Sequence, residues 1–207
     1  MSHDDFAFEP IPGLPEHLPK GEHLLWQGRP DAMALAREAL NLRWVAGYFA
    51  LLALWRFGAI LDEGVGAGLA MAAPFLLLGA VVCGLLWIVA FLQARATVYT
   101  ITDARVVMRI GAALTLTLNL PFRQIASAGL DLRRDGTGTI ALDLAEDIRL
   151  SWLVCWPHVR PWRLRKPQPA LRAIPDAARV AGLLAEAAET RIATPELSRA
   201  PAALAAE

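Results

Sequence analysis

Long apolar segments occupy the middle of the chain, and their lengths predict membrane helices. Residues 65–92 carry no charge, and about 20 apolar residues cross a hydrocarbon layer about 30 Å thick. Because glycines and Pro74 crowd the first third of this stretch, we expect a loop there and a helix over 72–92, with Pro74 in its first turn. Residues 44–61 are also apolar apart from Arg56. The short connection between the two segments predicts an antiparallel transmembrane hairpin.

Charged residues around the hairpin predict its orientation. Arg43 and Arg56 are thirteen positions apart, about 20 Å along a helix, so both reach water only if their side chains snorkel or the membrane thins. The alternative is that Arg56 pairs with a polar group on another membrane protein. Basic residues flank the hairpin on both outer sides, and residues 1–28 lack the features of a secretory signal. Both termini are therefore expected in the cytoplasm.

After residue 95 the pattern changes from membrane length to strand length. β-Branched and aromatic runs at 99–102 and 105–110 are separated by Asp103 and Ala104, which predicts a β-hairpin. From 114 to 120 leucines alternate with polar residues, which is typical of a strand with one buried face. Further strands are expected at 130–132, 140–144 and 148–155.

A final amphipathic segment predicts a helix over 176–192. Its apolar stripe contains Val180, Leu183, Leu184 and Ala187, which suits a helix that covers the open end of a sheet. Roughly six strands and one such helix predict an α+β membrane protein, in which a β-sandwich or partly open barrel is capped by a C-terminal helix. The expected division is a cytoplasmic segment that packs with the β-domain (1–30), an amphipathic lead-in and the hairpin (31–94), the β-domain (95–192) and a flexible tail (193–207).

Composition excludes several classes of function. Twenty Lys and Arg balance twenty Asp and Glu, so no overall field attracts nucleic acid. Cys83 and Cys155 have no partners at zinc or redox spacing. The chain has no nucleophile elbow, phosphate-binding loop, dinucleotide fingerprint or zinc-protease motif. We therefore expect no enzyme, and no catalytic, cofactor-binding or metal-binding residues.

Aromatic and basic residues are mixed in the stretch 151–172, which is the main candidate surface. These residue types suit contact with lipid phosphates or with an acidic protein surface. In a third interpretation, Trp152 and Trp156 are core residues of the last strand and the charges form a solvated edge. His158 is expected to be a surface or interfacial histidine whose hydrogen bonds are satisfied. The segment 21–43 before the hairpin is expected to brace the β-domain or to contact a partner. The candidate partner- or lipid-binding residues are Trp26, Arg29, Arg56, Trp156, His158, Arg160, Trp162, Arg163, Arg165 and Lys166.

Several short motifs carry a resemblance to a known family. LWQGRP at 25–30, YTITDARV at 99–106 and LPFRQI at 120–125 lie in the order seen in bacterial pleckstrin-homology-like membrane proteins, which the chain resembles. With FEPIPGLP at 8–15 and WPHVRPW at 156–162, the chain is also similar to a narrower family, the photosynthetic complex assembly proteins (PuhB) of purple bacteria, which are encoded near the reaction-centre H subunit.

The resemblance implies a non-catalytic assembly factor for the photosynthetic reaction centre and its core light-harvesting antenna, which docks transiently on their subunits in the bacterial inner (intracytoplasmic) membrane. Reaction-centre subunits, with the H subunit as a leading candidate, core-antenna polypeptides and membrane lipids are the expected partners, and a homo-oligomer is left open. All four histidines lie outside the expected spans, which argues against stable pigment binding. The alternative is a general membrane-anchored lipid-binding or membrane-stress protein, because the architecture alone fixes no partner.

Overall fold

Two antiparallel β-sheets enclose the main apolar core. The computed structural model describes residues 13–14, 16–112, 115–145 and 150–193. One sheet contains four strands in the order β1-β2-β3-β4 and the other contains three in the order β5-β6-β7. The strands are β1 (Leu24–Gly28), β2 (Val98–Thr102), β3 (Arg105–Ile110), β4 (Leu116–Pro121), β5 (Ile125–Leu132), β6 (Gly138–Leu144) and β7 (Ala170–Ile174).

Alternation along the strands fills this core. In β4, Leu118 and Leu120 are buried whereas Thr117 and Asn119 are exposed, as the two-residue period predicts. The last helix, which spans Ala177–Ala193, places Val180, Leu184 and Ala187 against the same core. The predicted mixed α+β domain, with its sheets covered by a C-terminal helix, is therefore what the chain forms.

Three α-helices precede β2 in the described part of the chain. They are α1 (Ala32–Glu38), α2 (Leu42–Ala59) and α3 (Val65–Ala96); further along the chain are α4 (Trp152–Cys155) and α5 (Ala177–Ala193). Asp31 caps α1, since its carboxylate accepts a 2.7 Å hydrogen bond from the backbone N–H of Ala34. Ala34 and Leu35 of α1 pack against Ala94 near the end of α3 and against Ala173 of β7. Helix α1 therefore joins the base of the helical hairpin to the second sheet.

Helices α2 and α3 pack side by side as an antiparallel hairpin. Gly68 lies against Phe57, and Gly79 lies so close to Phe49 that an added Cβ would come within 2.7 Å of the Phe49 Cβ. Among the described residues, α3 is the one helix long and apolar enough to cross a membrane. Apolar side chains are exposed along the outer faces of both helices, including Trp44, Leu54 and Leu77.

The start of α3 corrects the predicted second span. The helix begins at Val65, not near residue 72, and it includes the glycine-rich stretch that we expected to be a loop. Pro74 lies inside the helix rather than in its first turn. Glycine costs about 0.5–1 kcal/mol in a helix relative to alanine. Gly68 allows α3 to lie close to Phe57 of α2, whereas nothing lies within 4 Å of a Cβ built at Gly66.

The predicted strand at 148–155 is also wrong in its described part. Residues 152–155 form the short helix α4, and 146–149 lie outside the described residues, as do most of the 8–15 motif and the tail from residue 194. Two strands that we did not predict complete the sheets. Strand β1 pairs with β2, and β7 pairs with β6, with Leu171 opposite Ile140.

Replacing Gly79 with alanine should loosen the hairpin. The new Cβ would overlap Phe49, and such overpacking costs about 1–3 kcal/mol. Gly84→Ala is the matched control, because nothing lies within 4 Å of its Cβ position and alanine gains up to about 1 kcal/mol of helix propensity. Thermal melts of the full chain in detergent, followed by circular dichroism, should show a lower Tm for Gly79→Ala only. Equal melting temperatures would contradict the close packing.

Candidate functional site

Residues 160–166 form an exposed loop, which we call the basic aromatic loop. Its two ends are held side by side, because the Arg160 N–H donates to the Gln168 carbonyl at 2.9 Å and the Ala170 N–H donates to the His158 carbonyl at 2.9 Å. Val159 and Pro169 form a β-bridge at the same place. The loop is therefore presented from a fixed, strand-like base.

The side chains of the basic aromatic loop are directed to the outside. Trp162 is 93% exposed and Leu164 is 64% exposed, and Arg163, Arg165 and Lys166 are exposed as well. The Lys166 Nζ lies 3.7 Å from a carboxylate oxygen of Asp143. A tryptophan and several cations on one loop can enter a lipid headgroup layer or contact an acidic protein surface.

His158 lies beneath this loop and is fully buried, so the prediction of a surface histidine is wrong. The Tyr99 hydroxyl lies 2.6 Å from His158 Nδ1, and the Thr97 hydroxyl lies 3.1 Å from Nε2. Tyr99 comes from β2, and Thr97 caps the end of α3. His158 therefore connects the base of the loop to the point where α3 enters the sheet.

The hydrogen bonds around His158 form one continuous chain. The Thr97 hydroxyl donates to the Gln93 carbonyl at 2.7 Å, so it accepts from the Nε2–H of His158. The Arg172 N–H donates to the Tyr99 oxygen at 3.2 Å, and the Tyr99 O–H donates to Nδ1. Burial lowers the pKa of His158 to about 3 and raises the pKa of Tyr99. Both groups are neutral, as this chain requires.

Arg172 extends the buried network to α1. Its Nη1 donates to the Pro157 carbonyl at 3.2 Å and its Nη2 donates to the Glu38 carbonyl at 3.1 Å. The Glu38 carboxylate forms an ion pair with Arg133, which follows β5. Burial raises the pKa of Glu38, and the charges of Arg133 and Arg172 oppose that shift. This network was not among the sequence-based predictions, although an arginine at position 172 inside the apolar run 170–174 was a signal for it.

The other predicted site residues belong to different elements. Trp26 lies half-buried on β1 and packs against the main core, while Arg29 follows that strand and is exposed. Trp156 is half-buried beyond α4, not in a strand. Arg56 is half-buried in the last turn of α2. The basic aromatic loop thus gathers Arg160, Trp162, Arg163, Arg165 and Lys166, and the remaining candidates do not join it.

No group of three metal-ligating side chains occurs among the described residues. Cys83 and Cys155 are free thiols, one in α3 and the other in α4. Burial raises the pKa of Cys155, which keeps that thiol protonated and unreactive.

Acidification should destabilise the protein through His158. The folded-state pKa of His158, about 3, lies below the ordinary value of 6.5, so the unfolded chain takes up the proton first. The contribution of neutral His158 to the free energy of unfolding is complete above about pH 6.5. Below that pH the free energy of unfolding falls by about 1.4 kcal/mol per pH unit. His158→Gln should remove this slope between about pH 6.5 and 5 in denaturant unfolding of the full chain.

The control for this measurement is His17→Gln, which removes an exposed histidine. That variant should keep the wild-type slope of unfolding free energy against pH. A His158→Gln variant with the wild-type slope would show that His158 does not titrate as a buried neutral group.

Comparisons with known proteins give one family and one full-length relative. A family model described as the bacterial PH domain matches residues 42–188. The chain is 51% identical over 209 residues, covering 100% of this chain and 98% of the relative, to an "Uncharacterized 23.7 kDa protein in puhA 5'region" of Rhodobacter capsulatus. No solved structure matches.

Proposed function

The chain belongs to the bacterial PH domain family, and from that premise we propose that it is a non-catalytic membrane assembly factor for the photosynthetic reaction centre and its core antenna. The observation that carries the proposal is the full-length relative whose name places its gene in the puhA 5' region. This position fits a photosynthesis operon and agrees with the gene neighbourhood that the resemblance to the PuhB family implies.

Membrane attachment is the first part of the proposal. Helix α3 has the length and composition to cross a membrane. Helix α2 has 18 residues, about 27 Å at about 1.5 Å per residue, and Arg43 and Arg56 lie in its first and last turns, from which long side chains reach the interface. We infer an inner-membrane hairpin with both termini and the β-domain in the cytoplasm. Its exposed apolar faces would meet lipid or the helices of incoming subunits.

Transient docking through the basic aromatic loop is the second part. The loop offers an exposed tryptophan and several cations on a fixed base, and aromatic and arginine side chains are enriched at the centres of protein interfaces. The cytoplasmic part of a reaction-centre subunit, with the H subunit first, or of a core-antenna polypeptide is the proposed partner. Electrostatic complementarity raises the association rate more than the affinity, which suits a factor that binds and then leaves the finished complex.

Deleting the gene in a phototrophic source strain should lower the near-infrared bands of the reaction centre and core antenna, while pigment synthesis continues. Complementation with the wild-type gene should restore the bands. A triple variant of Arg163→Gln, Arg165→Gln and Lys166→Gln should restore them only in part, because it removes the cations of the loop. The measurement is the absorption spectrum of membranes during induction.

The matched control carries Arg123→Gln, Arg134→Gln and Arg179→Gln, which remove three exposed cations outside the loop. It should complement fully. An unchanged spectrum in the deletion strain would contradict the assembly role. Equal restoration by both triple variants would contradict the role of the loop and leave the assembly role standing.

A photo-crosslinking residue at position 162 should capture the partner directly. Trp162 is 93% exposed, so a crosslinker there reaches any protein that docks on the loop. Reaction-centre or antenna polypeptides should be recovered with the tagged full chain during their synthesis, and far less after assembly is complete. Position 134, which is also exposed, is the control. Equal recovery from both positions would contradict docking on the loop.

A further inference from the structure

A polar cavity lies between the second sheet and the start of the basic aromatic loop. Its volume is about 250 Å³, and β5, β6 and β7 supply most of its walls. Arg133, Arg160 and Arg172 line it together with Thr139 and Asp131. Neither the hairpin nor the exposed tip of the loop belongs to this lining.

Two buried polar atoms in the walls have no partner among the described residues. They are the hydroxyl oxygen of Thr139 and the Nε of Arg172. Thr139 is 8% exposed and Arg172 is 6% exposed. A buried donor without a partner costs about 1–3 kcal/mol, so a ligand that accepts hydrogen bonds from both groups would be strongly favoured there.

The charges of the lining favour an anion. Three arginines face one acid, Asp131, whose side chain is 76% exposed and lies 3.6 Å from Arg133. Arg133 also pairs with Glu38, whose charge acts on Arg172 as well, but among the described residues neither Arg160 nor Arg172 forms a direct ion pair with a carboxylate. Arg160 donates to the Gln168 side-chain oxygen at 3.2 Å, and that bond uses only one of its five N–H groups.

We propose that this cavity binds a phosphate group. Guanidinium groups match the geometry of phosphate oxygens, and a threonine hydroxyl adds a neutral donor to the same oxygens. The headgroup of an anionic phospholipid is the favoured source. The Glu38 carbonyl, 3.1 Å from Arg172 Nη2, ends α1 shortly before the apolar helix α2 begins. The cavity therefore lies at the base of the proposed membrane hairpin.

Calorimetry on the full chain in neutral detergent tests the site with two probes, inorganic phosphate and a soluble short-chain phosphatidylglycerol, at about 0.15 M salt to screen diffuse attraction. Thr139→Val keeps the side-chain shape and removes the hydroxyl, and Arg160→Gln removes one cation of the lining. Each should weaken binding about tenfold. Arg163→Gln, which removes the same charge from the exposed loop, should weaken it less than about twofold.

Tight binding of phosphatidylglycerol that depends on Thr139 and Arg160, with little binding of inorganic phosphate, supports a lipid site. The same dependence with inorganic phosphate as the tighter probe supports a site for a free phosphate group. The absence of saturable binding by wild-type protein, or an equal loss in Arg160→Gln and Arg163→Gln, overturns the cavity as a phosphate site. Thermal melts of each variant establish that it is folded.

Discussion

The buried hydrogen-bond chain through His158 fixes how the helices meet the β-domain. It runs from the Arg172 N–H through Tyr99, His158 and Thr97 to the Gln93 carbonyl. Thr97, Tyr99 and His158 are fully buried, and a buried group that loses its partner costs about 1–3 kcal/mol. The end of α3, strand β2 and the turn before the loop are consequently stable only when they are formed together.

The hydrogen bonds through His158 also determine where the basic aromatic loop lies. Thr97 caps α3, His158 bonds to Thr97, and the loop starts two residues later at Arg160. The loop therefore emerges beside the end of the helix that has the length to cross a membrane. An exposed tryptophan alone does not indicate what it contacts. Because this loop is held beside the end of an apolar helix, its tryptophan is well placed to contact a headgroup layer or a membrane-bound partner.

Sequence periodicity correctly predicted β4 and the apolar face of α5, because both depend on residues that are close together in the sequence. The alternation in β4 and the stripe on α5 needed no knowledge of distant residues. His158 was misplaced because prolines surround it, as in an exposed loop, and its burial depends on Tyr99, 59 positions earlier. The start of α3 was misplaced for a similar reason, since the packing of Gly68 against Phe57 of α2 joins residues that are distant from each other's local pattern. Long-range contacts, which neither composition nor spacing reveals, decide both cases.

The unequal lengths of the two hairpin helices have a physical consequence in the proposed topology. Helix α3 has 32 residues, about 48 Å at about 1.5 Å per residue, whereas the hydrocarbon layer is about 30 Å thick. The contacts of Phe57 with Gly68 and of Phe49 with Gly79 show that α3 continues past the start of α2. There α1 packs on Ala94, and Ala90 and Ala94 are buried. In that topology the end of α3 packs against α1 on the face that carries Ala90 and Ala94, whereas Val89, Phe91 and Leu92 on its other faces are exposed and are left for lipid or for a partner helix.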